Sequence, residues 1–482
     1  LCVGFNAITF VVNVNFNYMT LIKSISGIRG TIGGEPGENL TPLDAVKFAS
    51  AYAKWLIESS GKSNPVVVIG RDARISGAMI QSLVQNTLVG MGCNVIDLGL
   101  STTPTVEVAV PLEKADGGII LTASHNPKQW NALKLLNNKG EFLNGVEGQK
   151  ILDTAAAQDF NYTDVDTLGQ VTTISDYIER HVQHVVQLPI TKKEAIKNMG
   201  LKIVVDGVNS TGGIAVPMLL KKLGVEVVEL YCDPTGHFPH NPEPLKEHLG
   251  DLASAVLEHK ADLGITVDPD VDRLAFMTEQ GEMFGEEYTL VACADYILGH
   301  KKGDTVSNLS SSRALRDVTI AHGGTYHAAA VGEVNVVQKM KDVQAVIGGE
   351  GNGGIIYPES HYGRDALLGI AMFLSLLTEK QMKVSELRAS YPSYFMSKKK
   401  VELVKGMPVD DIMSRIASIY QSEDITTIDG VKIDFEQNWV HMRKSNTEPI
   451  IRIYTEAFSQ YEADDLAKRF IAELEEIAQE FS

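Results

Sequence analysis

The sequence predicts an α/β protein of several domains that closes with a smaller antiparallel α+β unit. Three observations carry that expectation. A chain of 482 residues is too long for one hydrophobic core and divides into three or four domains. Short apolar runs of strand length alternate with segments whose apolar residues recur at intervals of three and four, the pattern of strands and amphipathic helices in layers. Near the C-terminus the alternation changes. Gly430–Phe435 and Ile450–Tyr454 read as half-exposed strands and Tyr461–Glu480 as a closing helix, as in an antiparallel sheet covered on one face.

In chain order, Leu1 to Tyr18 carry no charge and are rich in valine, phenylalanine and asparagine. They lack the basic region and cleavage site of a signal peptide and read as an upstream-start extension. Strands are expected at Val66–Ile69, Gly118–Leu121, Lys202–Val205, Leu263–Val267 and Gln344–Ile347. Helices are expected at Pro42–Ser59, Gly77–Val89, Thr211–Leu223 and Glu287–Leu298. The proline- and histidine-bearing run Gly236–Pro244 reads as a loop, either a plain turn or the wall of a cleft.

Composition excludes some functions. A formal charge of −18, with no basic stripe to offset it, argues against nucleic acid as a partner. Cys2, Cys93, Cys232 and Cys293 form no C-x-x-C pair, so a reducing cytoplasm is the expected setting. No stretch approaches the length of a membrane-crossing helix, and no membrane partner is expected.

Chemistry concentrates in four loops. Thr122-Ala123-Ser124-His125-Asn126-Pro127 follows the apolar run Gly117–Leu121, placing Ser124 where a buried strand emerges, the usual address of reacting groups in α/β sheets. Asn126-Pro127 favours a turn over a helix. The hexapeptide alone fits a polar strand cap as well as a reactive serine, and the G-x-S-x-G elbow of hydrolases is absent. Further on, Asp268-Pro269-Asp270-Val271-Asp272-Arg273 follows Leu263–Val267. Three carboxylates at alternate positions repel one another unless a cation sits among them, and an oxygen-only set of this size suits Mg²⁺. An EF-hand is disfavoured, because Arg273 stands where its loop needs glycine and a strand precedes it. Arg273 itself fits a phosphate-binding cation.

Gly348-Gly349-Glu350-Gly351-Asn352-Gly353-Gly354 reads either as a flexible turn or as backbone shaped for close approach of a ligand. Arg443-Lys444-Ser445-Asn446-Thr447-Glu448-Pro449, with Arg452 just beyond, is either a solvated basic turn or a phosphate clamp. Its mix of cations, hydroxyls and an amide is what a dianionic phosphate requires.

Taken in this order, the serine loop, the Asp-x-Asp-x-Asp-Arg loop, the Gly-Glu-x-x-Gly loop and the Arg-x-Ser-Asn-Thr-Glu-Pro loop resemble the α-D-phosphohexomutase superfamily. The likeness runs from about Met19 to near the end. Gly27-Ile28-Arg29-Gly30, Gly70-Arg71-Asp72-Ala73-Arg74-Ile75-Ser76-Gly77 and Trp130-Asn131-Ala132-Leu133-Lys134 fit it as well. The resemblance implies three α/β/α sandwich domains and a C-terminal antiparallel α+β domain around a central cleft, each offering one loop. The expected divisions are residues 19–169, 170–272, 273–393 and 394–482.

The resemblance also implies a mechanism. Ser124 is carried as phosphoserine and exchanges its phosphoryl group with a hexose phosphate through a sugar bisphosphate, with glucose- or hexose-1,6-bisphosphate as activator. One Mg²⁺ is held by Asp268, Asp270, Asp272 and a phosphoserine oxygen. Arg29 and Lys134 manage protons and transition-state charge, and His125 orients the serine loop. Arg443, Ser445, Asn446 and Thr447 clamp the non-reacting phosphate, Arg452 adds a second guanidinium, Arg273 binds substrate phosphate, and Glu350 and Asn352 hold sugar hydroxyls. Many relatives carry serine and histidine where this chain has Asn352 and Gly354. That form of the sugar loop resembles the phosphoglucosamine-mutase-like members, so glucosamine 6-phosphate is the expected substrate. A phosphomannomutase or phosphoglucomutase is the alternative. A catalytically silent phosphosugar binder is disfavoured by the intact serine, aspartates and arginine loop. The expected assembly is a monomer or homodimer.

Overall fold

The computed structural model describes residues 19–24, 27–402, 408–444 and 450–480, so the expected extension over residues 1–18 lies outside the described residues. Four sheets succeed one another along the chain. The first is seven-stranded, in the order Ile22–Ser24, Gly27–Thr31, Trp130–Leu136, Gly117–Leu121, Val66–Arg71, Asn94–Leu100, Val171–Thr173. The four last-named strands run parallel, and the three at the other end pair antiparallel.

Side chains alternate across a strand, and here that sorts them into two cores. Val67, Ile69, Ile119 and Leu121 pack beneath the helices Pro42–Ser60 and Gly77–Gly90. Val68 and Ile120 meet Val106, Ala109 and Val110 of the helix Thr103–Leu112 on the other face. The sheet is therefore the middle of three layers. A capping box starts the helix Pro42–Ser60: the Thr41 side chain accepts from the Asp44 backbone, and the Asp44 carboxylate accepts from that of Thr41. Gly61 ends it in a left-handed conformation, the ordinary helix terminator.

The second sheet, Leu274–Thr278, Leu263–Val267, Lys202–Asp206, Glu226–Leu230, sends Ile203 and Val205 to one core and Val204 to another. The third, Tyr326–Ala329, Thr305–Asn308, Ile347–Glu350, Gly354–Ile356, does the same with Ile355 and Ile356. These two sheets share one core, in which Phe276 stacks on Phe373 with ring centroids 3.8 Å apart. The fourth sheet is wholly antiparallel: Phe395–Glu402, Ile450–Ala457, Trp439–Lys444, Val431–Asp434, Asp424–Thr426. Val431, Ile433, Val440 and Met442 pack against the helices Val409–Ile419 and Gln460–Glu480.

Several expectations need correcting. Val171–Thr173 completes the first sheet and Leu274–Thr278 the second. Strand pairing thus crosses the divisions expected at 169/170 and 272/273, which followed polar loops instead of strands. The strand expected at Gln344–Ile347 begins only at Ile347. Gln344 is a left-handed helix cap (φ 53°), and Ala345 N–H still bonds the Met340 carbonyl. The strands of the fourth sheet are less exposed than their alternation suggested. Their second face lies against the third domain, where His441 Nδ1 sits 2.9 Å from Ser310 Oγ and Arg313 reaches Asp434 at 3.2 Å.

Candidate active site

The strand Gly117–Leu121, buried at every residue, delivers the serine loop. Thr122 Oγ1 donates to Asp72 Oδ2 (2.7 Å) and accepts the Ser124 N–H (2.9 Å). Ser124 adopts a left-handed φ of 50°, a conformation that a non-glycine residue keeps only where its surroundings enforce it. Arg74 supplies that enforcement. Its Nε pairs with Asp72 Oδ2 at 2.8 Å, one Nη donates to the Pro127 and Trp130 carbonyls (3.0 Å each), and the other donates to the Ser124 carbonyl. Both members of this pair have fully buried side chains. Arg74→Lys keeps the charge but loses the planar fork. It is expected to lower kcat by about tenfold to a hundredfold through misplacement of Ser124, with little change in KM for any hexose phosphate. Steady-state kinetics checks the split.

The aspartate loop folds tightly beneath the serine. Asp268 Oδ1 accepts the N–H groups of Asp272 and Arg273, each at 3.1 Å. The hydroxyls of Ser210 and Thr211 donate to the Pro269 carbonyl at 2.7 and 2.8 Å. Val271 sits at φ 64° with no exposed surface, unusual for a β-branched residue. It turns the backbone so that all three carboxylates gather, their donor oxygens within 4.8 Å of one another. Ser124 Oγ donates to Asp268 Oδ2 at 2.6 Å and lies 3.3 Å from His125 Nδ1.

Asp268, Asp270 and Asp272 are completely buried. Burial and the charges of Asp270 and Asp272 push the Asp268 pKa well above the usual carboxylate range. Asp272 is held below that range, because Arg364, Lys134 and Arg273 outweigh its burial. Asp270 Oδ1 and Asp272 Oδ1 are buried without a hydrogen-bond partner. Two orphaned oxygens in a three-carboxylate set fit a hard divalent cation such as Mg²⁺.

Two cations form ion pairs with the triad. Lys134 Nζ reaches Asp270 Oδ2 at 2.7 Å and Asp272 Oδ2 at 3.2 Å. Burial disfavours its charge, yet the two aspartates raise its pKa above the ordinary lysine value. The second cation, Arg364, was not singled out from the sequence. Its guanidinium bonds Asp272 Oδ2 (2.8 Å), Glu333 Oε2 (2.9 Å) and Glu350 Oε2 (3.1 Å), joining the aspartate loop to the glycine loop. An Arg-Asp pair directly before the apolar helix Ala366–Lys380 was its only mark in the sequence.

Glu350 is buried and already engaged. Oε1 accepts from Asn308 Nδ2 (2.9 Å) and the Gly332 N–H (3.3 Å), while Oε2 takes Arg364. Asn352 Oδ1 accepts the Gly354 N–H at 3.2 Å and faces Arg364 at 3.5 Å. Glycine is required at position 353, where φ is 83° and a Cβ would meet the Leu274 carbonyl, and at position 351 a Cβ would fall 2.0 Å from the Glu287 carboxylate and displace it. Burial pushes Glu287 up to about 8.

Arginines converge from separate domains. Arg29, on Gly27–Thr31, has its pKa lowered by burial and then by Arg452 and Arg273, so the three guanidinium groups share one neighbourhood. The same burial, with Arg273 beside it, pushes His125 well below the usual imidazole value. Arg273 pairs with Glu243 at 3.0 Å, leaving its Nε buried without a hydrogen-bond partner. Glu243 lies in the loop Gly236–Pro244, which therefore borders the site. Arg443 and Arg452 are directly opposed on adjacent strands and so share one face of the fourth sheet. Arg443 lies 3.5 Å from Asp429. Ser445, Asn446 and Thr447 lie outside the described residues. The structure thus brings Ser124, His125, Lys134 and the aspartates into one cluster, joins Glu350 and Asn352 to it through Arg364, and sets Arg29, Arg273 and Arg452 beside one another.

Comparison with known proteins finds the phosphoglucomutase/phosphomannomutase models along most of the chain. The α/β/α domains I, II and III match residues 21–162, 179–281 and 285–394, and the C-terminal domain matches 395–473. The chain is 34% identical over 456 residues to a phosphoglucomutase/phosphomannomutase of Thermococcus kodakarensis, covering 93% of this chain and 98% of that one. It is 34% identical over 451 residues to a probable phosphoglucosamine mutase of Methanopyrus kandleri, covering 92% and 96%. Among solved structures, a phosphoglucomutase/phosphomannomutase family protein of Burkholderia thailandensis superposes with a TM-score of 0.81 at 24% identity, over 96% of this chain and 97% of that one.

Proposed function

Because the chain belongs to the phosphoglucomutase/phosphomannomutase family and is a phosphohexomutase, we propose that it interconverts glucosamine 6-phosphate and glucosamine 1-phosphate through a phosphoserine at Ser124. One observation carries the phosphoserine reading: the Ser124 hydroxyl, at a buried strand end, donates to the fully buried aspartate triad at 2.6 Å. His125, next to Ser124, feels the charges of Arg273 and Arg29, so a phosphoryl group on that oxygen would have cations near it as well as the triad.

The substrate hydroxyl attacks the phosphorus of phosphoserine, the P–Oγ bond breaks, and the hydroxyl proton passes to the protein. The resulting bisphosphate turns over and returns its other phosphoryl group to Ser124. Asp268, Asp270 and Asp272 would hold Mg²⁺, which would neutralise charge on the transferred group. Lys134, kept cationic by Asp270 and Asp272, adds fixed positive charge beside the reacting oxygens. Arg29, its pKa lowered by burial and by the Arg452 and Arg273 guanidinium groups, is the candidate cation that lowers the pKa of the attacking hydroxyl and eases release of its proton. His125, neutral because it is buried beside Arg273, orients the serine.

Arg443, Arg452 and the Ser445–Thr447 segment receive the phosphate that does not react. Since the two phosphates exchange places, this clamp reads phosphate and ignores which carbon bears it. Glu350 and Asn352 hold the sugar hydroxyls, a carboxylate having acceptor capacity beyond the bonds it already makes. Arg443→Ala is therefore expected to raise KM for every hexose phosphate by a similar factor. A charge-assisted phosphate contact is worth about 1.5–3 kcal/mol, roughly ten- to a hundredfold in affinity. Glu350→Gln should instead change the ratio of kcat/KM between amino and neutral sugars. Sugar preference shifting in Arg443→Ala and holding in Glu350→Gln would reverse the two roles.

The amino-sugar assignment rests on the Gly-Glu-Gly-Asn-Gly-Gly form of the sugar loop and on relatives such as the Methanopyrus kandleri protein. The Thermococcus kodakarensis relative favours the second reading, a phosphoglucomutase or phosphomannomutase with the same chemistry. A coupled assay of glucosamine, glucose and mannose 1-phosphates, primed with glucose 1,6-bisphosphate, separates them. The highest kcat/KM is expected for the amino sugar, and preference for glucose or mannose overturns that choice.

A further inference from the structure

Apart from the aspartate triad, the described residues bring one other set of metal-ligating side chains together: His181, His361 and Asp365, with donor atoms within 4.8 Å of one another. The helix Tyr177–Gln187 of the second domain contributes His181. The turn before the helix Ala366–Lys380 of the third domain contributes the other two. Asp365 uses Oδ1 to cap that helix, accepting the N–H groups of Leu367 (2.8 Å) and Leu368 (3.3 Å). Its Oδ2 is turned the other way, 3.0 Å from His181 Nε2 and 3.3 Å from His361 Nε2.

The far side of each imidazole is also provided for, by the helix Thr103–Leu112 of the first domain. Thr105 Oγ1 lies 3.0 Å from His181 Nδ1, and Glu107 Oε2 lies 3.4 Å from His361 Nδ1. Glu107 is 1% exposed, and neither of its oxygens has a hydrogen-bond partner. An unpaired carboxylate sealed in the interior costs several kcal/mol unless positive charge sits nearby. Lys134 is the one cation among the main influences on it, against Glu333, Asp272 and Asp365. Burial, ahead of these charges, raises its pKa well above the usual carboxylate range.

Two imidazoles present Nε2 to one carboxylate oxygen, and Thr105 behind His181 Nδ1 is the kind of outer partner that fixes the tautomer of a metal-ligating histidine; His361 Nδ1 makes no hydrogen bond, with the Glu107 carboxylate 3.4 Å away. The spacing agrees. A tetrahedral ion about 2.0–2.1 Å from nitrogen and oxygen ligands holds those ligands roughly 3.3 Å from one another. We propose that His181 Nε2, His361 Nε2 and Asp365 Oδ2 bind a zinc-class divalent ion, distinct from the Mg²⁺ of the triad. Thr105 and Glu107 orient the histidines, and the ion joins the first three domains. Imidazole ligands select a borderline transition metal over Mg²⁺, which takes oxygen. The site therefore remains selective beside an oxygen-only neighbour.

The test uses the untagged full-length chain, stripped with chelator and dialysed. Co²⁺ is expected to bind at one equivalent with the strong visible absorption of tetrahedral coordination, and Zn²⁺ to displace it. Zn²⁺ should also raise the thermal midpoint. Asp270→Asn should leave the band intact, whereas His361→Ala should abolish it and the Zn²⁺-dependent thermal shift. Glu107→Gln should retain the band with Zn²⁺ affinity weakened about tenfold or more. Absence of a tetrahedral Co²⁺ band in the wild-type chain, a measurement that needs no variant to fold, overturns the proposal. So does a band that survives His361→Ala or disappears in Asp270→Asn.

Discussion

Ser124→Ala is expected to lose all measurable mutase turnover while the chain still folds. The Ser124 hydroxyl is the one oxygen the proposed chemistry phosphorylates, and no neighbour can replace it. His125 presents only ring nitrogen at 3.3 Å, and the nearby hydroxyl of Thr122 is committed to Asp72 at 2.7 Å. Structurally the change removes the hydroxyl's contacts with Asp268 and His125 Nδ1, about 1–3 kcal/mol, and leaves the Asp72–Arg74 pair that holds the loop. Circular dichroism and the thermal midpoint should remain close to wild type. Turnover in Ser124→Ala comparable to wild type would eliminate the phosphoserine route.

Asp270→Asn is expected to cut kcat on the order of a hundredfold or more, with a smaller change in KM for the sugar phosphate. The amide can still accept the Thr103 hydroxyl, which lies 2.5 Å from Asp270 Oδ2. It can no longer balance Lys134, which would rely on Asp272 at 3.2 Å. The half-saturating Mg²⁺ concentration should rise. The pH dependence has a definite sign. Burial and the charges of Asp270 and Asp272 raise the Asp268 pKa, so a cation entering the triad displaces a proton and binds more tightly as pH increases. Without the Asp270 charge that repulsion falls, and the pH dependence of Mg²⁺ activation should flatten. A variant with wild-type rate and wild-type Mg²⁺ dependence would reduce the triad to an acidic turn.

The residues legible in the sequence are those whose chemistry is concentrated in one short loop. Ser124 and the three aspartates follow strands that are apolar enough to be recognised, and the structure buries both strands at every residue. The antiparallel ending was legible for the same reason, since Val431 and Ile433 alternate with Lys432 and Asp434 and split between a core and a domain interface. Arg364 was not, because its role exists only in three dimensions. Its three carboxylate partners are 14, 31 and 92 residues away in sequence, and nothing local distinguishes it from a surface arginine. Arg74 was visible within its motif, but its hold on the serine loop depends on carbonyls more than fifty residues downstream. The Gln344–Ile347 expectation failed because Ala345 and Val346 are apolar for helix-closing and core reasons that a strand pattern imitates, while the real strand runs through Gly348 and Gly349. The loop Gly236–Pro244 reads in sequence as either a turn or a cleft wall, and the pairing of Glu243 with Arg273 decides for the wall.

The central claim, that Ser124 carries the phosphoryl group in transit, is tested most directly by a single-turnover chase. The chain is loaded with glucose 1,6-bisphosphate labelled in its phosphates, freed of sugar, and mapped by peptide mass spectrometry before and after a pulse of hexose monophosphate. The account predicts close to one phosphate per active chain on Ser124, and its transfer to the sugar within one turnover. Label absent from Ser124 while the enzyme continues to turn over, or label on Ser124 that hexose phosphate cannot remove, would contradict it.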